Sequence, residues 1–196
     1  MAGKLNRAAA SLRAAAGRVR RWPLLASGFG AISPGLERTF RQGKEAMARA
    51  RKRDRPEDFH EWRKRAKDHW YHVRLLENRG TDAIRDDEKR LHDLETWLGD
   101  DHNLVLLDLH LRAHRGLHGR AEDVECCLGL IRRRQRELRE KSLELGAHVY
   151  REKPREFVRR TGRLWDAGPG QAQSAAASAP PPQTAADPAR QPPARP

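Results

Sequence analysis

An all-α fold, arranged as an antiparallel helical bundle, is the class this sequence predicts. Three observations carry it. β-branched residues are few and no run alternates apolar with polar, so strands have no signal. Apolar residues fall instead at helical spacing, as in Leu36, Phe40, Gly43 and Met47, and again in Leu91, Leu94 and Leu98. Gly, Pro, Asp and Thr punctuate the chain at helix-length intervals.

The elements follow in order. A first helix is expected from about Leu5 to Arg20, ended by Trp22-Pro23. A glycine-containing loop leads to Ser33-Pro34-Gly35, where Ser33 suits a cap and Pro34 a first turn. That second helix runs to about Arg53, with Arg38, Arg41 and Lys44 away from its apolar centre. Asp54 and Pro56 open a third, closed by Asn78-Arg79-Gly80. Thr81 or Asp82 starts a fourth, which Gly99 stops. Asp100 or Asp101 then caps another, with Leu104, Leu107 and Leu111 in register. Gly116 and Gly119 break the chain. A long helix is expected from about Ala121 to Val149, with Val124, Cys127, Ile131 and Leu138 inward. Its Arg132-Arg133-Arg134 run reads as solvated surface. Pro154 begins a last short helix ending near Trp165. From Ala167 onward Ala, Pro, Gln, Ser and Gly dominate, a composition expected to remain disordered.

Composition narrows the function. The chain has 196 residues, a formal net charge of +13 and a pI near 10.7. Its basic excess favours an acidic partner: nucleic acid, another phosphate polymer or an anionic surface. Charged residues make up 34%, so any core must come from narrow apolar stripes. Cys126 and Cys127 are adjacent, which disfavours a bridge between them; they read as small core residues in a reducing compartment. No apolar run approaches a membrane span, and no secretory leader is apparent. The acid-free start, with Glu37 the first carboxylate, resembles a transit peptide in composition only. A cytoplasmic location without membrane attachment is the expectation.

One stretch, Phe59 to Glu77, concentrates the chemistry. Wound at 3.6 residues per turn it places His60, Arg63, Lys64, Lys67, Tyr71 and Arg74 on one side. Trp62, Ala66 and Val73 lie on the other, with Trp70 at the seam. A solvated helix mixes its charge signs; this one gathers cations, while Glu61 and Asp68 sit a quarter-turn away. Such a ladder repeats every turn, about 5.4 Å, and can follow a linear anion without a fixed register. Arg63 and Arg74 can make forked contacts to phosphate oxygens, and Lys64 and Lys67 act as point charges. His60 would strengthen binding on protonation around its ordinary pKa of about 6.5. Tyr71 can donate one hydrogen bond. Arg41 and Lys44, from the preceding helix, are placed as an opposite wall.

Other chemistries find less support. Trp62 and Trp70 read as core anchors, each contributing about 3–5 kcal/mol if fully buried. Base stacking would want both beside the cations, which weighs against nucleic acid as the specific ligand. His110, His114 and His118 recur at i, i+4 and i+8, but Gly116 interrupts them and no carboxylate or thiol stands in register. Solvated histidines near a helix end are preferred to a metal site. There is no GxSxG, no P-loop and no acid cluster for a catalytic metal, so neither catalysis nor a cofactor is expected.

Four blocks resemble a known family. His60-x-x-Arg63-Lys64-x-x-Lys67, running on to Arg74, is similar to the signature of the CHAD domain, the conserved histidine α-helical domain. Gly35 to Lys44 resembles the helix before that signature, and Leu91 to Leu104 its Leu-Gly-Asp turn and following helix. Glu152 to Phe157, through Leu164-Trp165, resembles its C-terminal end. The resemblance spans about Ala14 to Trp165. Phe40 stands where the family often has Tyr, Gln42 where it often has a basic residue, and Asn103 where many members have Asp.

The resemblance implies an all-helical domain of two related bundles that binds inorganic polyphosphate along a basic groove. Only the second half of such a domain is visible, so a half-bundle is expected, either truncated or paired with a second chain. Residues 1–30 then form a basic helix and linker, 31–166 the CHAD-like helical domain, and 167–196 the tail. The expected function is non-catalytic polyphosphate binding through Arg38, Arg41 and Lys44 and through His60, Arg63, Lys64, Lys67, Tyr71 and Arg74. The alternatives are a general nucleic-acid-associated basic protein, with non-specific nucleic acid as partner, or a remnant without independent binding. A homodimer or a missing half-domain are the assemblies considered.

Overall fold

The computed structural model describes residues 2–19, 21, 26–76, 81–114, 116 and 119–177; for Ala2 and 169–177 it describes the backbone alone. These residues form six helices and no strand: α1 (Ala2–Val19), α2 (Phe29–Arg53), α3 (Pro56–Arg74), α4 (Asp82–Ala113), α5 (Ala121–Val149) and α6 (Pro154–Ala177). The expected breaks at Trp22-Pro23 and Asn78-Arg79-Gly80 lie outside the described residues, as does His118.

Helix punctuation is met at some positions and corrected at others. α2 begins at Phe29, after Gly28 in a positive-φ conformation (φ 58°), so Ser33 is not its cap and Pro34 lies inside the helix. Pro34 has no N–H to give the Gly30 carbonyl. The Ser33 hydroxyl donates to that carbonyl instead, at 3.5 Å. Asp54 ends α2 rather than opening α3: it adopts the left-handed conformation and its N–H donates to the Ala50 carbonyl at 2.9 Å. Arg55 caps α3, with Pro56 in its first turn and Glu57 and Asp58 at the positive end of its dipole. Pro154 opens α6, and the Lys153 N–H donates back to the Glu156 carboxylate at 3.2 Å, half of a capping box. α6 continues past Trp165, where it was expected to end, and breaks at Gly168 (φ 60°) before running to Ala177. Residues 178–196 of the expected disordered tail lie outside the described residues.

Gly99 does not stop a helix. α4 runs through it as one element of 32 residues, about 48 Å long at 1.5 Å per residue. The reason for glycine there is space: a Cβ would stand 3.2 Å from Arg63 Nε on α3.

α2 packs on α3, α3 on α4 and α4 on α5, while α6 returns to α2. The main core joins Leu36 and Phe40 of α2, Phe59 and Trp62 of α3, Leu91, Leu94 and Leu98 of α4, Tyr150 and Phe157. Phe40 stacks on Phe157 at 4.5 Å and meets Tyr150 and His69 edge-on, both at 5.4 Å. Two glycines make room for the largest rings. A Cβ on Gly43 would collide with the Tyr150 hydroxyl, and one on Gly146 would stand 2.5 Å from Trp62 Cζ2.

Because α4 and α5 are longer than the other packed helices of the bundle, their far ends form an arm with its own small core. Val124, Leu128 and Ile131 pack there against Leu104 and Leu111. Leu107, expected in the same register, is exposed. Cys126 and Cys127 are also both exposed, not core residues; the inward position beside them belongs to Leu128.

Candidate functional site

The apolar stripe of α3 decides where its cations go. Burial of Phe59, Trp62, Ala66, His69 and Val73 turns the opposite stripe outward along the flank facing α4. There Arg63 and Lys67 both reach one carboxylate of α4, Glu95, at 3.1 and 3.5 Å. Glu95 is itself nearly buried. A single carboxylate set against two cations leaves the site positive. Lys67 also lies 5.8 Å from the centre of the Tyr71 ring.

The remaining members of the ladder extend this face. Lys64 is exposed and pairs with Glu61 at 2.6 Å. Glu61 also takes Arg65 at 2.7 Å, and these two cations hold its carboxyl below the usual range against the opposing effect of burial. Tyr71 is exposed, and so is Arg74, whose guanidinium lies over the Trp70 ring at 5.5 Å. Trp70 holds the seam position expected of it. Its indole N–H donates to Glu88 at 2.6 Å, and its ring stacks with those of Tyr71 and His92.

His60 stands at the N-terminal end of the ladder and stacks on His102 of α4, with ring centroids 4.1 Å apart. Burial, then His102, Lys64 and Arg63, push its pKa below the ordinary value. His60 is therefore neutral near pH 7, and its protonation needs more acid than an isolated imidazole does.

The residues expected from α2 lie elsewhere. Lys44 donates to the Glu152 carbonyl at 2.7 Å, and Arg41 lines a cleft with Lys153, Arg155 and Arg159. Both sit on the flank of α2 that faces α6, whereas α2 meets α3 through Gly35, against His72. Helix rotation thus keeps Arg41 and Lys44 from forming the wall opposite the α3 ladder; α4 forms it. Arg38 is exposed, on the side of α2 turned away from the core.

Sequence reasoning missed a partly buried ionic network beside this site. Arg139 of α5 donates to Asp101 at 3.0 Å and to Asp54 at 3.2 Å, and stacks over Phe59 at 4.5 Å. Asp101 is buried, and that burial raises its pKa although Arg139 opposes the rise. Its neighbour in sequence is His102, the partner of His60. The arginine thus fixes the α4 turn that carries His102. The distance along the chain from Arg139 to Asp101 and Asp54 hides this network from pattern reading. His110 and His114 lie with rings 4.4 Å apart, and among the described residues no three His, Cys, Asp or Glu side chains converge as a metal site would require.

The signature residues of α3 form a positive ladder with an imidazole at its head, and α4 supplies the nearly buried acid behind it. The model of the CHAD domain matches residues 3–112. The chain belongs to the CHAD family. The matched stretch holds α1 to α3 and nearly all of α4, and so every residue of the ladder. The CHAD match begins earlier than the resemblance read from the residues and ends before the Glu152–Trp165 block. No curated protein and no solved structure matches the chain. CHAD domains are associated with inorganic polyphosphate. No helix among the described residues is long and apolar enough to cross a membrane.

Proposed function

We propose that the chain binds inorganic polyphosphate along the α3–α4 face and does not turn it over. One observation carries this reading: the cations of α3 keep their one-turn repeat after folding, with a single α4 carboxylate, Glu95, set against Arg63 and Lys67. Polyphosphate has roughly one charge per phosphate and no bases, so its recognition must be electrostatic and repetitive. An incoming phosphate competes with Glu95 for Arg63 and Lys67 and finds Lys64, Tyr71 and Arg74 exposed. His60 adds a donor as pH falls. Among the described residues no three His, Cys, Asp or Glu side chains converge to hold magnesium, which favours a binder over a hydrolase.

The test is a competition. Labelled long-chain polyphosphate is bound at two salt concentrations and challenged with DNA, RNA and monophosphate. Retention against excess nucleic acid is expected. Equal displacement by DNA or RNA would reduce the face to a generic basic surface. Changing Lys64 and Lys67 together to Gln should weaken binding while the circular dichroism spectrum stays that of the parent; an unchanged affinity at low salt would rule the face out.

A further inference from the structure

We propose that the cleft between the last turn of α2 and the middle of α5 is a second anion site, built for a compact di- or triphosphate group. It is separate from the α3–α4 face and uses no residue of the ladder. The cleft encloses about 500 Å³, within the range of small-molecule sites. Arg51 enters it from α2, and Arg132 and Arg136 from α5, one turn apart. All three are exposed, and none forms an ion pair with a described residue.

The neighbours of these three arginines are committed elsewhere. Arg133 and Arg134, in the same run, both turn to Glu137, at 3.2 and 3.1 Å. Arg139 closes one end of the cleft but is held by Asp101 and Asp54 and by its stack on Phe59. Asp54, largely exposed, shares Arg139 with Asp101, so the lining sets Asp54 and Glu140 against four arginines. Arginines outnumber acids in this lining, the unpaired Arg51, Arg132 and Arg136 repel one another, and an anion seated between them relieves that repulsion. Guanidinium forks match phosphate oxygens in pairs, and Gln135 adds a neutral donor at the rim. Half-buried Leu143 gives the floor one apolar contact for a sugar or base. A compact di- or triphosphate, either free or as the tail of a nucleotide, matches this charge and size.

Calorimetric titration of the full chain with inorganic pyrophosphate, and separately with a nucleoside diphosphate, tests this. Arg132→Gln with Arg136→Gln should weaken pyrophosphate by about tenfold or more, as loss of charge-assisted contacts requires. Arg133→Gln with Arg134→Gln removes the same charge from the same run and should leave affinity near that of the parent. Equal weakening by the two pairs would mean net charge alone is at work and would overturn the site. So would pyrophosphate binding that survives in the first pair but is lost with Lys64→Gln and Lys67→Gln; that result would leave the polyphosphate reading intact. Tighter binding of the nucleotide assigns the site to a nucleotide tail, and equal binding assigns it to the free anion.

Discussion

At the scale of single residues, His69 is the most exacting position in the fold. Its ring is fully buried among Phe40, Tyr150 and Phe157, and neither nitrogen has a hydrogen-bond partner among the described residues. Burial, with His72 adding to it, pushes its pKa down to about 3. The unfolded chain takes up a proton near pH 6.5 that the folded chain refuses, so the stabilisation is complete above that pH and is lost as pH falls toward the folded value. Linkage then predicts a loss of about 2 kcal/mol at pH 5 relative to pH 8, read from urea midpoints. His69→Phe should abolish this part of the pH dependence and be near neutral at pH 8; an unaltered pH profile would refute the assignment. The glycine notch gives a second prediction. Gly146→Ala would press its methyl into Trp62 and the Met47 sulfur, destabilising by about 1–3 kcal/mol in denaturant unfolding. Sequence identified Trp62 as core because its neighbours on the stripe are apolar. It could not identify Gly99 as the seat of Arg63, since a glycine that ends a helix and one that admits a neighbouring side chain look alike in one dimension. Cys127 was misplaced for a related reason: one step along α5, about 100°, separates the buried Leu128 from an exposed thiol.

The elements differ in how firmly they are held. α2, α3 and α6 share the main aromatic core, while the far ends of α4 and α5 depend on a few aliphatic side chains of their own. Leu128→Ala should therefore raise amide exchange along residues 104–113 and 121–131 and leave α2 and α3 protected. Uniform loss of protection over all helices would show instead that the arm and the bundle unfold as one. The faces of α2 and α3 were legible because each has a continuous apolar stripe to fix its rotation. The start of α2 was not: Ser33-Pro34 carries the residues of a cap, yet apolar Phe29 and Ile32 pack on the core and extend the helix backwards. Packing outweighed a local signal whose usual worth is about 1 kcal/mol.

For the whole molecule, charge and connectivity set the expectations. A net charge of +13 makes any polyanion affinity fall steeply with salt, and Lys64→Gln with Lys67→Gln should flatten that slope as well as lower the affinity. α1 carries basic residues and two exposed leucines, Leu5 and Leu12, but among the described residues has no extensive interface with another helix. Removing residues 1–26 should leave the denaturation midpoint unchanged, measured by circular dichroism at 222 nm; a marked drop would reveal a structural role for α1. The direction of the α3 ladder could be read from one helix alone. The carboxylate behind it could not, because Glu95 enters from α4 and only the fold brings it to Arg63 and Lys67. Arg41 and Lys44 show the converse, cations close to the ladder in sequence that the packing of α2 carries to another flank.

Trp70 gives the protein an optical reporter of its own. Its indole is bonded to Glu88 and lies beneath the Arg74 guanidinium, at the edge of the proposed anion path. Withdrawing that cation toward a bound anion changes the electric field across the ring, and with it the colour and yield of its emission. The chain has five tryptophans, so comparison with Trp70→Phe isolates the Trp70 share of the ultraviolet emission: an anion on the α3 face should alter that share, and a ligand held only by the cleft arginines should leave it unchanged.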